Sequence, residues 1–579
     1  MSTIYFGSGN QVLPIPSGSA YSLRSHNLPE FGIRRVTTSS LPLTQTHHLQ
    51  VPRQNRSWLL SPSETRASEL VAANAEALGN ANVEIQGCAL SCLRTRTRSA
   101  VFNAARLYTA TWAPRLSTKP YSDTTKWVVG GHQPALFHPG VWAKNFAIAR
   151  LAKRVSAVSL NLIVDNDTMA TSSIRVPSGT FENPQTADIA FDVPQFKQPW
   201  ENVKVHDFAL FESFPSRVRE AIRGWNISPL LETFWPRVLD FYRSTPRLAD
   251  AFTAARNQQE QAWGATNLEL PLSRLCQLPP FLWFVSHLLA HLPRFRETYN
   301  TAVRDYRRAN HIQSTSHPVP ELAQVGDWLE TPFWVWRQGE LRRSRLFAKQ
   351  SGQSIILSKD GSDVLIELPL TAESNAHAAV ERLQELQAQG VSIRTRALTT
   401  TLFSRVFLAD LFAHGIGGAK YDEITDQLIA KFYHLPVPAY WVVTGTLHLP
   451  LGRLPVSNDD LTRDKRRVWD LQWNPAKALA DHENLDTQTL RAEFQEALSR
   501  PADDLAARRT RHREFTRIKT ALSQWTAPEL PEARTRINQT MKQLAANRVL
   551  ENRDYSSVLY PEPLLKSFLN NDSSDLQNP

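Results

Sequence analysis

The chain has only three cysteines in 579 residues, Cys88, Cys92 and Cys276. That scarcity excludes a disulfide-stapled fold and fits a reducing cytoplasm. Cys88 and Cys92 are spaced to share a helix face, but no Cys or His pair at ligand spacing accompanies them, so no metal is expected. Long hydrophobic runs are missing as well. The most apolar helical stretch, LPPFLWFVSHLLAHL from Leu278 to Leu292, holds two histidines and is shorter than the ~20 residues a membrane span needs. The N-terminus has no basic segment followed by an apolar one, so neither a secretory leader nor a membrane partner is expected. No G-x-G-x-x-G fingerprint, no P-loop lysine and no G-x-S-x-G elbow occurs, and no repeat of solenoid length is present.

Acidic charge is also in short supply, with 65 basic against 55 acidic residues and a net charge of +10. Met1 to Pro120 alone holds 12 Lys and Arg against 5 Asp and Glu. Those arginines are scattered and lack interleaved aromatics for base stacking, which argues against nucleic acid as a partner.

The chain does contain an α/β pattern. Residues 1–61, rich in Ser, Pro, His and Arg with little apolar periodicity, read as a flexible arm. Residues 62–200 read as the first part of an α/β core. KWVVGG is a buried strand, VWAKNFAIARLAKR an amphipathic helix and VSLNLIVDND a second strand, which together make a βαβ unit and call for a parallel sheet. Residues 201–370 turn helical and aromatic and then, from Pro332 to Leu368, to hairpins, as an insertion would. The α/β pattern resumes over 371–455, with a helix near Ser374 to Gln389, the short strand GVSIRTRAL, the loop HGIGGAKYDEI and the strand AYWVVTG. Residues 456–550 form a helical arm, with two long antiparallel helices expected on either side of Pro528 and Pro531, and 551–579 close the chain.

In a parallel sheet the loops after the strands line the binding crevice. The loop in WVVGGHQPALFHPGVWAKNF is therefore the first candidate site. Gly130 and Gly131 allow close backbone approach, and Pro139 and Gly140 open a helix whose free N–H groups suit an anion. His132, Gln133, His138, Lys144 and Asn145 add donors. Asp165 and Asp167, ending the neighbouring strand with Asn166 between them, are expected to face the same crevice and to orient or deprotonate an attacking group. An anionic or phosphorylated small molecule is the expected substrate. His287 and His291 lie in an apolar run without the glutamate of a zinc-protease helix, so core packing is expected for them. HPVPEL, with His317 and Glu321, and the preceding Arg307 and Arg308 read as a solvated loop.

Taken together, VVGGHQPALFHPG, LNLIVDND, HGIGGAKYDEITDQL and NRDYSSVLYPEPLLKSF resemble, in order, landmarks of the bacillithiol biosynthesis cysteine-adding enzymes. His132 stands where that family has the first glutamine of its loop, and Gln133 matches the second. Gly415, Gly417 and Tyr421 match its later loop, with Ile416 and Gly418 in place of a proline and a glutamate, and the acidic strand end lacks the family's histidine. The resemblance implies a Rossmann-like parallel-sheet core with an inserted connecting-peptide region and a helical coiled-coil arm that makes a homodimer. It further implies a ligase that adds cysteine to the amine of a glucosaminyl-malate. His132 and His138 also resemble the paired histidines with which class I nucleotidyl-transfer enzymes stabilise a transferring phosphate. The energy source is not legible, and a nucleotide, ATP or ADP, is the candidate cofactor. The alternative is a binding or scaffold homologue that keeps the core and the dimerising helices without catalysis.

Overall fold

A computed structural model describes residues 49–114, 121–317 and 319–571. Its centre is a six-stranded, mostly parallel sheet in a mixed α/β chain. The strands lie in the order Ser57–Ser61, Tyr440–Thr446, Leu411–His414, Trp127–His132, Val158–Ile163, Leu268–Pro271. The last five run parallel, and Ser57–Ser61 is an antiparallel edge. Of the parallel strands, the chain lays down Trp127–His132 first and builds outward to Leu268–Pro271. It then returns to the other side for Leu411–His414 and Tyr440–Thr446. The reversal opens a crevice beyond the carboxyl ends of Trp127–His132 and Leu411–His414.

Local chemistry explains why these strands sit centrally. Trp127, Val128 and Val129 are fully buried. The buried Asp410 carboxylate accepts the Trp127 N–H at 2.9 Å and pairs with Arg94 at 2.9 Å and Arg98 at 2.5 Å, tying the starts of both central strands to the helix Leu90–Ala110. Two guanidiniums share the one carboxylate, and the cluster is tolerated this deep because the backbone carbonyls of Val406, Leu408 and Ala409 accept further N–H groups of the arginines. The βαβ unit is as expected, with the helix Pro139–Arg154 crossing between the first two strands.

The flexible arm expected over 1–61 lies outside the described residues as far as residue 48. Its end is ordered: Ser57–Ser61 joins the sheet edge, and Trp58 donates its indole N–H to the Phe568 carbonyl oxygen at 3.0 Å. The expected hairpins belong to a second, antiparallel sheet in the order Asp363–Leu368, Ser354–Lys359, Ser344–Ser351, Trp328–Arg337, Val391–Thr395. The strand within GVSIRTRAL is thus not part of the parallel core; it pairs with Trp328–Arg337, Thr395 opposite Phe333. A short alternating run specifies a strand but not its neighbour. Pro279–Ala290 is buried almost throughout, and His287, 5% exposed, packs within it as expected.

The two helices expected at the arm, Leu505–Thr526 and Leu530–Leu550, are present but do not pair with each other. Ala527–Glu529 between them keeps helical dihedrals, so they run on as one returning leg. That leg packs back along an outgoing one, Leu530–Leu550 on Asn458–Trp473 and Leu505–Thr526 on Leu485–Ser499. Proline in a first helical turn costs little, which is why Pro528 and Pro531 bend the path without reversing it. Among the described residues no helix is long and apolar enough to cross a membrane.

Candidate functional site

The crevice at the chain reversal holds a cavity of about 560 Å3. One wall is the carboxyl edge of the parallel sheet, with Gly131 to Gln133 at the end of Trp127–His132 and His414 to Gly418 at the end of Leu411–His414. The facing wall comes from the antiparallel sheet and the turn beyond it, through Trp334, Arg343, Thr395 and Arg396. The closing segment adds Arg553.

The first loop is built around the start of Pro139–Arg154. His138 caps that helix, its Nδ1 accepting the Gly140 N–H at 3.1 Å. Gly140 is obligatory: a Cβ there would overlap the Gly445 carbonyl oxygen and crowd the Arg553 guanidinium. Lys144, one turn on and 5% exposed, donates to the Gly131 carbonyl oxygen at 2.6 Å. Burial lowers its ammonium to a pKa of about 8. Burial and the Lys144 charge push His132 down to about 3, and burial with Arg553 pushes His138 down to about 4. Both imidazoles are therefore neutral near pH 7 and act as hydrogen-bonding groups rather than cations.

The second strand end divides its three polar residues. Asp167 lines the cavity, accepting from Gln133 Nε2 at 2.9 Å and pairing with Arg343 at 3.1 Å. Asn166 turns to the Thr395 carbonyl oxygen at 2.8 Å. Asp165 is the correction: its buried carboxylate accepts the Ser273 N–H at 2.9 Å and the Ser273 hydroxyl, and it does not line the cavity. Burial, then the nearby Glu201, raises it to about 7, so it is a structural anchor for the turn at Ser273. Alternation along an extended strand would send Asp165 and Asp167 to one side, but the strand ends at Ile163 and the chain turns at Asp165 and Asn166, so the two carboxylates part.

Two further expected ligand residues lie elsewhere. Gly130 packs beneath the crossing helix, where an added Cβ would meet Ile148 at 3.4 Å, while Gly131 lines the cavity and is held by the close approach of Leu162. Asn145 faces the protein interior, donating to Glu260 at 2.7 Å. Gly415, Gly417 and Tyr421 do line the cavity, with the Tyr421 hydroxyl pushed to about 12 by burial, Asp422 and Asp167. Of the loop HPVPEL, Val319 and Pro320 reach the cavity, whereas Glu321 pairs with Arg304 at 2.7 Å.

Four functional candidates were not read from the sequence. Arg343 and Arg396 both stack on Trp334, 4.9 and 4.2 Å from its ring centre, and Arg553 approaches from the last segment of the chain. The fourth is His414, at the end of the strand Leu411–His414. Its Nε2 lies 3.0 Å from the Asp422 carboxylate, which Arg405 grips at 2.6 Å from the π-helical turn Ser404–Leu408. Burial alone would raise the Asp422 carboxyl, but Arg405 and His414 outweigh it and hold it well below the usual range. The ionised Asp422 accepts the hydrogen on His414 Nε2, which turns Nδ1 to the other side of the ring. Nδ1 faces Gly418, where a Cβ would come within 3.0 Å. The strand-end rule that selected Asp165 could have found His414; no local signal points to the arginines, which converge only through the two-sheet packing.

The cavity is cationic. Among the described residues Lys144, Arg343, Arg396 and Arg553 line it with one carboxylate, Asp167, which pairs with Arg343, while Arg396 pairs at 2.8 Å with Glu330 outside the lining. Among the described residues the buried Nε atoms of Arg396 and Arg553 have no hydrogen-bond partner, and an unmatched buried donor costs about 1–3 kcal/mol. Among the described residues no group of three or more His, Cys, Asp or Glu could hold a metal ion, and all three cysteines are free.

No family model and no curated protein matches the chain.

Proposed function

We propose that the protein is a ligase that joins an acid, cysteine or a related one, to an amine-bearing substrate of the glucosaminyl-malate type, on a Rossmann-like core. The single observation that carries a phosphate-dependent ligation is the convergence of four cations and two neutral histidines on one cavity at the chain reversal. Such a lining suits a phosphate leaving group on an activated carboxyl. His138, Lys144 and Arg553 are the groups that would hold the phosphate, and a nucleotide fits them as its source. The amine nitrogen then attacks the acyl carbon, the C–N bond forms as the C–O bond to phosphate breaks, and the amine proton passes to His414 Nδ1 with Asp422 stabilising the imidazolium. Asp167, tied to Gln133 and Arg343, would orient the amine.

A scaffold without catalysis accounts for the fold equally well but gives no reason for an oriented His414–Asp422 pair opening on the cavity. The test is incubation of the full chain with ATP, cysteine and glucosaminyl-malate, followed by mass spectrometry. The amide product, absent with His414→Gln, supports the ligase; ligand binding without product in the parent protein supports the scaffold.

A further inference from the structure

Beside the main cavity lies a second chamber of about 490 Å3, and Trp334 and Arg343 belong to the walls of both. Arg343 is fixed at that boundary by Asp167 at 3.1 Å and by its stack on Trp334. The rest of the chamber is formed by Thr168 to Ala170, just beyond the Asp167 loop, with Phe196, Lys197 and Arg342. Among the described residues no carboxylate lines it. Lys197 and Arg342 are exposed, and among the described residues neither side chain makes a hydrogen bond or an ion pair. Phe196 is 73% exposed. A ring that open contributes little to the core, but beside an unengaged guanidinium and ammonium it offers a flat stacking face with anion donors at its edge.

We propose that this side chamber takes the base and ribose of a nucleotide, stacked on Phe196, with the phosphates passing Arg342 and Arg343 into the main cavity. The proposal rests on the reading of the main cavity as a phosphate site. It separates the two parts of the ligand: a bare polyphosphate needs only the main cavity, whereas a nucleotide uses both chambers.

Calorimetric titration of the full chain with ATP and with tripolyphosphate, in metal-free buffer, distinguishes the parts. Stacking of one base is worth about 1–3 kcal/mol, so the parent protein is expected to bind ATP at least about fivefold more tightly than tripolyphosphate. Phe196→Ala should bring ATP to within about threefold of tripolyphosphate while leaving tripolyphosphate unchanged. Arg342→Gln should weaken ATP severalfold. Because Phe196 and Arg342 are exposed, both variants should melt with the parent. ATP binding unaltered by Phe196→Ala overturns the side-chamber proposal and leaves the phosphate reading standing. Absence of tripolyphosphate binding to the parent overturns the phosphate reading and this proposal with it.

Discussion

His132, His138, Lys144 and Arg553 meet at one cavity although the sequence separates the last from the others by some four hundred positions. Each carries a distinct expectation. Lys144, lowered to about 8 by burial, is charged below that pH and neutral above it. Above about pH 8 its proton must be taken up with the anion, so pyrophosphate affinity should fall as pH rises, by up to about tenfold per unit. Lys144→Met should remove that part of the pH dependence; calorimetry across pH 7 to 9.5 on both proteins checks it, and parallel profiles would contradict it. His414→Gln and Asp422→Asn should each leave pyrophosphate affinity within about threefold of the parent while lowering ligation by about a hundredfold or more. Equal losses in binding and turnover would instead make His414 a binding residue. Asp165 stands apart from these. As the acceptor for Ser273 it should matter to stability, so Asp165→Ala is expected to cost about 1–3 kcal/mol, seen as a lower Tm, with pyrophosphate affinity unchanged. A large affinity loss with no change in Tm would restore it to the site.

At the scale of elements, the start of the helix Pro139–Arg154 is the most constrained joint, because Gly140 sits against the Gly445 carbonyl oxygen and Arg553. Gly140→Ala must push the helix off the neighbouring strand end, so it should lower both Tm and pyrophosphate affinity, the reverse of the separation expected for His414. Thermal melts and calorimetry on one preparation decide this. The helical arm poses a different question. Trp469, Trp473, Leu485, Leu498, Leu505 and Met541 are all exposed on it, Leu485 by 75%. A helical hairpin with that much apolar surface is expected to cover it with a second copy. Light scattering of the full chain should report a dimer, and Trp473→Glu combined with Leu498→Glu should give a monomer; a monomeric parent protein would refute the homodimer. The elements themselves were legible wherever hydrophobic periodicity was long and punctuated, as in the βαβ unit, the hairpins and the two helices of the returning leg. Partner choice was not, because Val391–Thr395 and Ser57–Ser61 carry no local mark of the sheet they join, and helix pairing in the arm depends on whether a proline break reverses the chain.

For the whole molecule, the site is a product of two sheets. The parallel sheet supplies the glycine-lined loops, the helix N-terminus and the two strand-end residues, Asp167 and His414, while the antiparallel sheet and the turns at its strand ends supply Trp334, Arg343 and Arg396. The first half was visible in the opening loop because its residue types and its place after a strand are both local properties. The second half was invisible because an arginine on a hairpin looks the same in sequence whether it faces solvent or a cavity. The central claim is that these halves form a binding site for a phosphate-bearing ligand. The measurement that tests it most directly is a crystal structure of the full chain soaked in pyrophosphate. The account predicts density within hydrogen-bonding distance of His138, Lys144 and Arg553 at the chain reversal; pyrophosphate bound only elsewhere, or no density there at saturating concentration, would contradict it.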